Sequence, residues 1–365
     1  MIAVPDAVAE AALGVDGPTY LYDLPGLDDH VRAIRTALGP HVEFFHAVKA
    51  NPDLGVLRTI ASHVDGLEVA SAGELAHVRK LGTDLLIAFG GPGKTDAELK
   101  STVDLFHVES RYELARLTGA TALLRVNLPV PEGPAVLRMG GLPSPFGMDP
   151  EDARKAAVEA PPGVRVIGVH AHLVSGVDAE QAAAVAGEVV RWSVDAGLPR
   201  EVVNVGGGMA VDYLRPDERF DWARYGRLLR GLAPPGTVLR IEPGRAVSAY
   251  HGWYATRVLD VKRSAGSWFA ICAGGTHHLR TPAAKGHSQP LAVLPRGSSG
   301  PSVDDAPVTF VGQLCTPKDV LARDVVVPRV RVGDVVAFGM AGAYAYNISH
   351  TEFLMHPKPA VVHLI

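Results

Sequence analysis

The chain has 365 residues, 47% of them hydrophobic, enough for one large domain or two ordinary ones around a sizeable core. Its 35 basic and 39 acidic side chains leave a formal net charge of −4 with no basic block, which argues against nucleic acid or an anionic membrane as partner and for small-molecule chemistry. Two cysteines, Cys272 and Cys315, are too few for a disulfide framework and fit a reducing cytoplasm.

The opening "MIAVPDAVAEAALGVDG" carries acidic residues and lacks the basic start and long apolar centre of a signal peptide. No later run approaches the roughly 18 apolar residues that span a bilayer. "PTYLYDL" reads as a strand that pairs with later strands rather than opening the array that follows it.

From about residue 40 to 245, eight short apolar runs alternate with helix-like stretches: "VEFFHAV", "GLEVAS", "LLIAFG", "LFHVES", "TALLRVN", "RVIGVHAH", "VVNVGGG" and "VLRIEPG". In "DAEQAAAVAGEVVRWSVDAG" the spacing predicts a helix with Asp178 as N-cap and Gly197 past its end. Continuous apolar strands alternating with helices mean a parallel sheet covered on both faces. Eight repeats predict a (β/α)8 barrel in the α/β class, with an open doubly wound sheet as the runner-up.

After Arg245 the texture changes. "GWYATRVLDVKR", "SWFAICAGG", "APVTFVGQL" and "DVVAFGMAG" are strand-like, separated by Gly, Pro and Ser. The expected division is a barrel over residues 25–245 and a β-rich domain made of residues 1–24 and 246–365.

Barrel chemistry sits where the strands run out, and the polar residues there form a set. Lys49 ends the first run and has no acidic neighbour beside it. Glu68 lies in the second with Glu74 just beyond, and Arg125 is near the end of the fifth. His170, His172 and Ser175 end the sixth, Gly206, Gly207 and Gly208 the seventh, and Glu242, Gly244 and Arg245 the eighth. Singly, a strand-end lysine is more often solvated and a strand histidine more often a hydrogen-bonded core residue. Their common position at one end of the barrel is what favours function.

The triplet in "VNVGGGMAVDY" offers bare backbone N–H groups to a phosphate, and it is neither a dinucleotide fingerprint nor a Walker loop. An amine, a phosphate cradle and a carboxylate at strand eight together point to pyridoxal 5′-phosphate. The acidic Glu242 would keep the pyridine nitrogen protonated, which favours carbanion chemistry. No metal site is assigned.

Several motifs, in order, carry a resemblance: "FHAVKAN", "GLEVASAGEL", "HAHLVSG", "VNVGGG", "IEPGR", "LCTPKDVL" and "AGAY". From "YLYDL" to "HPKPAVV" the chain resembles the fold-type III pyridoxal phosphate decarboxylases of diaminopimelate, ornithine and arginine, which share the alanine racemase-like fold. The resemblance implies Lys49 as the Schiff-base lysine and His172 as the imidazole stacked on the cofactor ring. It places Ser175, Gly207, Gly208 and Tyr344 around the phosphate with Arg245 near it, and Gly206 and Gly244 are expected among the cofactor-binding residues. It pairs Glu242 with the pyridine nitrogen and sets Glu68, Glu74 and Arg125 among the supporting residues. Cys315 would reach the neighbouring subunit's site and reprotonate the carbanion, so a homodimer with shared active sites is implied.

Two departures remove negative charge that would attract a cationic side chain. Thr316 stands where diaminopimelate decarboxylases have a glutamate after the cysteine, and Ala273 stands at a position that is usually acidic. The tail "GAYAYNISHTEFLMHPKP" resembles the branch of siderophore and antibiotic pathways, whose members act on conjugated or carrier-bound amino acids. Thr316, with His277, His278 and Arg280 of "GGTHHLRTPAAKG", would then line a site for an extended or anionic group. The expected activity is cytoplasmic decarboxylation of an α-amino acid whose side chain ends in an acyl, citryl or carrier-protein-linked group. The alternatives are diaminopimelate decarboxylation in lysine biosynthesis, racemisation or epimerisation, and a non-catalytic cofactor-binding relative.

Overall fold

Each of the eight apolar runs becomes one strand of a closed parallel barrel. The strands are Val42–Ala47, Gly66–Val69, Leu86–Phe89, Leu105–Val108, Thr121–Arg125, Arg165–His170, Val202–Asn204 and Val238–Ile241. Strand eight pairs with strand one, Ile241 opposite Phe44, which closes the ring. The computed structural model describes residues 1–130, 137–138, 140–297 and 299–365.

The sequence builds this repeat with local signals. Phe45, Ala88, Leu105, Leu123, Ile167 and Val202, one from each of six strands, form a buried cluster. Asp53, Ser71, Thr95, Ser110, Asp178 and Asp221 each accept a backbone N–H at the start of the helix that follows them. The helix predicted after Asp178 runs from Ala179 to Asp195, and Asp178 accepts from the Gln181 N–H at 2.8 Å. Because all eight strands run parallel in a closed barrel, the residues just beyond each strand lie at one rim.

The chain divides into two compact units. One holds Asp28–Ala210 and Phe220–Val247 and contains the barrel. The other holds Met1–Leu27, Val211–Arg219 and Ser248–Ile365. In the second unit the sheet order is Leu291–Leu294, Val335–Phe338, Gly252–Ser264, Ser267–Cys272, Ser302–Val311, Val320–Arg331. The early strand Thr19–Asp23 joins this sheet, antiparallel to Gly252–Ser264 and parallel to Ala360–Leu364, as its sequence led us to expect. Its core includes Val8, Leu21, Trp253, Val335 and Ala337. Among the described residues no helix is long and apolar enough to cross a membrane.

Candidate active site

Lys49 lies just past its strand, in a single 3-10 turn over Val48–Ala50. Its Nζ donates to Glu68 Oε2 at 2.5 Å. The expectation of a lysine without an acidic neighbour therefore fails across the barrel, although it holds along the chain. Register explains the partner: Ala47 and Glu68 stand opposite one another on adjacent parallel strands. The Lys49 side chain is 47% exposed and Glu68 only 7%, so the amine reaches outward from a buried carboxylate. Glu74 is on the next helix, where it accepts the Ala70 N–H at 2.7 Å and burial raises its carboxyl.

A second cluster surrounds Glu242. Asn204 Nδ2 donates to Glu242 Oε1 at 2.7 Å. His170 Nε2 lies 3.2 Å from Oε2, and His107 Nε2 lies 3.4 Å from Oε1. Burial holds both imidazoles well below their ordinary range, so they are neutral at pH 7. The two rings stack at 4.1 Å with an interplanar angle of 11°. These three side chains have donor atoms within 4.8 Å of one another. Asn204 is the side chain that hydrogen-bonds the carboxylate, and the two neutral rings pack beside it. Asn204 and His107 were not singled out from sequence. The signal was a polar residue inside an otherwise apolar strand, in "LFHVES" and "VVNVGGG".

His172 is fixed by the glycine triplet. The Gly207 N–H donates to its Nδ1 at 2.9 Å, and burial, reinforced by the charges of Lys49 and Arg125, pushes the ring down to about 3. The neutral ring therefore carries its proton on Nε2. A Cβ on Gly206 would lie 2.6 Å from His172 Nδ1, one on Gly207 2.5 Å from the Glu242 carbonyl oxygen, and one on Gly208 would collide with the Val174 carbonyl oxygen. Gly206 and Gly208 also have φ of +70° and +101°. Two of the three N–H groups are engaged within the protein, Gly206 with Asn204 Oδ1 at 2.9 Å and Gly207 with His172. The bare triplet expected from sequence thus narrows to Gly208, with Ser175 and Arg245 as the side chains of the same unit assigned beside it.

Arg125 stands opposite His170 in the barrel register. Its Nη1 donates to Glu109 Oε1 at 2.6 Å, Glu109 Oε2 accepts the Gly147 N–H at 2.7 Å, and the guanidinium lies 4.9 Å from the Phe146 ring centroid. Gly244 starts the turn into the short helix Arg245–Ser248, its carbonyl accepting the Val247 N–H at 3.0 Å.

In the β-rich unit, Cys315 is exposed and Cys272 is buried, where burial raises its thiol. Asp319 pins the turn that carries Cys315: its carboxylate accepts the N–H groups of Leu314 at 2.9 Å and Thr276 at 2.6 Å. That buried residue was not picked out from sequence, although it lies inside "LCTPKDVL". Tyr344 has φ of +48°, an uncommon conformation for a bulky residue, and its carbonyl accepts the Thr281 hydroxyl at 2.7 Å.

The four residues expected to line a site for the far end of a substrate separate into two pairs. Thr316 and Arg280 line one cavity of about 660 Å³. His277 and His278 do not: both are buried, their ring centroids 3.9 Å apart with the planes tilted by 43°, and His278 is satisfied by the Tyr254 hydroxyl at 3.1 Å and the Pro357 carbonyl at 2.9 Å. Burial pushes each down to about 4. The pair is a packed core element of this unit.

The family described as pyridoxal-dependent decarboxylase, pyridoxal binding domain, matches residues 25–249, and the chain belongs to it. The chain is 37% identical to 2-[(L-alanin-3-ylcarbamoyl)methyl]-2-hydroxybutanedioate decarboxylase of Staphylococcus aureus, covering 94% of this chain and 93% of that one. It is 32% identical to the L-glutamyl-[BtrI acyl-carrier protein] decarboxylase of Niallia circulans, over 94% and 87%. Diaminopimelate decarboxylase of Deinococcus radiodurans is also 32% identical, over 98% and 92%. The fold matches Helicobacter pylori diaminopimelate decarboxylase complexed with L-lysine at a TM-score of 0.87 and 23% identity, over 98% and 93%.

The residues present fit the cofactor that the family name implies. An amine beside a carboxylate, a buried acid held by a neutral amide donor, and a glycine run with no room for side chains could supply the three contacts a pyridoxal phosphate needs.

Proposed function

We propose that this enzyme releases carbon dioxide from an α-amino acid whose side chain ends in an acyl, citryl or carrier-protein-linked group, in a siderophore or secondary-metabolite pathway. The observation that carries the reading is the gathering of Lys49 with Glu68 and of Glu242 with Asn204 and His170 at the ends of barrel strands. Two relatives support the substrate half. By name, one acts on an amino acid conjugated to a hydroxybutanedioate and the other on a glutamyl group on a carrier protein.

When bound, pyridoxal phosphate supplies a sink for the electron pair left as the Cα–carboxylate bond breaks. Lys49 is the amine that would hold its aldehyde, and Glu68 Oε2, accepting from Nζ at 2.5 Å, fixes where that amine points. Glu242 would hold a proton at the pyridine nitrogen, with Asn204 fixing the carboxylate and His170 packed beside it. His172, its ring orientation set by the Gly207 N–H, covers one face. Ser175, Gly206, Gly207, Gly208, Gly244, Arg245 and Tyr344 surround the phosphate, Gly206 and Gly207 through shape rather than free donors. Arg125 is oriented by Glu109. The exposed Cys315 thiol of the partner subunit delivers a proton to Cα, which makes the working form a homodimer and a cytoplasm that keeps thiols reduced its natural setting. Thr316 and Arg280 meet the far end of the substrate.

The test is spectroscopic and catalytic together. Lys49→Ala should lose the visible absorbance of the lysine-bound cofactor and lose turnover. Full turnover in that variant would overturn the assignment.

A further inference from the structure

We propose that the cavity in the β-rich unit receives the far end of the substrate as a group bearing two or more carboxylates. The inference rests on the decarboxylase reading above and selects among the conjugates that reading allows.

Three separate segments build the cavity. Thr276 and Arg280 come from "GGTHHLRTPAAKG", Thr316, Lys318 and Arg323 from "LCTPKDVLARD", and His350 and Phe353 from the tail. The lining contains three permanent cations and neither aspartate nor glutamate. Among the described residues, Arg280, Lys318 and Arg323 are in no ion pair with a carboxylate, whereas Arg215, Arg224 and Arg329, also exposed, are each paired. The nearby Asp319 has both carboxylate oxygens engaged by the N–H groups of Thr276 and Leu314, and its single charge leaves the cavity with an excess of two positive charges.

Hydroxyls of Thr276, Ser288 and Thr316 supply neutral donors beside these cations. A volume of about 660 Å³ accommodates a branched group and far exceeds what a lone ammonium tip requires. Such an ammonium would also meet a net excess of like charge. Arginine forks pair best with planar carboxylates, two hydrogen bonds at a time. A carrier-protein arm brings one phosphate group to three cations; a di- or tricarboxylate offers two or three separate planar anions to match them. The cavity is bracketed by segments assigned to the active site, since Thr316 follows Cys315 and Thr281, next to Arg280, bonds to the Tyr344 carbonyl.

The full-length holoenzyme is titrated with citrate, pantetheine 4′-phosphate and lysine by calorimetry at low and high salt. Citrate should bind at one site per chain, more tightly than the other two, and should weaken about 10-fold or more in Arg323→Gln and in Lys318→Gln, with a smaller loss in Arg323→Lys, which keeps the charge without the fork. Unchanged cofactor absorbance and melting temperature verify that the variants are folded. Absence of citrate binding, binding indifferent to both glutamine variants, or tighter binding of pantetheine 4′-phosphate would each overturn the proposal. The parent reading fails separately: a protein that binds citrate but releases no carbon dioxide from any conjugate keeps the receptor and loses the decarboxylase.

Discussion

Glu242 shows how much of this site depends on what surrounds one carboxylate. Asn204 donates to one of its oxygens, and two imidazoles that burial keeps neutral flank it. If it holds the pyridine nitrogen's proton, Glu242→Gln removes the negative charge but keeps the shape. The variant should retain cofactor absorbance and lose about 100-fold in kcat, the lower range for removing a proton-handling group. An unchanged kcat in steady-state assays would contradict the role. At this scale the residue types were legible in the sequence, because Lys49, His172 and Glu242 interrupt apolar runs at their ends. Their partners were less so. Glu68 meets Lys49 only because two strands 19 residues apart lie in register, and the adjacent His277 and His278 both turn into the core.

Among the elements, the loop after the seventh barrel strand is the most constrained. Three consecutive glycines leave no space for a methyl group, and two of them hold positive φ. Gly208→Ala should destabilise the protein by about 1–3 kcal/mol and reduce cofactor retention, since the methyl would strike the Val174 carbonyl. Gly93→Ala, where nothing lies within 4 Å, is the control and should change neither. Equal effects in thermal melts of the two variants would contradict the account. All eight barrel strands were legible, because buried parallel strands read as continuous apolar runs. Val320–Arg331 was not: its outward positions carry Arg323, Asp324, Arg329 and Arg331, which masks the alternation. That strand brings Arg323 to the cavity, so a cation of the proposed receptor was hidden with it.

For the whole molecule, buried neutral histidines couple stability to pH. Burial pushes His46 to about 4, against a weaker pull from the Pro243 carbonyl, and His172 to about 3, while His107 and His170 are also lowered. The unfolded chain binds protons on these rings near pH 6.5 and the folded one does not. Their contribution is therefore complete above about pH 6.5 and is lost as pH falls toward their folded values. Each ring adds a slope of up to about 1.4 kcal/mol per pH unit in that window. Thermal melts should show Tm falling steeply from pH 7 to pH 5, and a flat profile would contradict this. The chain passes into the β-rich unit at Ser248, three residues past the Arg245 at which its texture changes, whereas the assignment of Val211–Arg219 to that unit has no compositional mark.

The most direct test of the central claim is mass-detected turnover by the purified holoenzyme. The assay offers a citryl-type conjugate, a carrier-bound aminoacyl group and free diaminopimelate as competing substrates. The account predicts that a conjugate loses its α-carboxylate as carbon dioxide while diaminopimelate is left intact. Preferential consumption of diaminopimelate, or a conjugate product that keeps its carboxylate with inverted configuration, would contradict it.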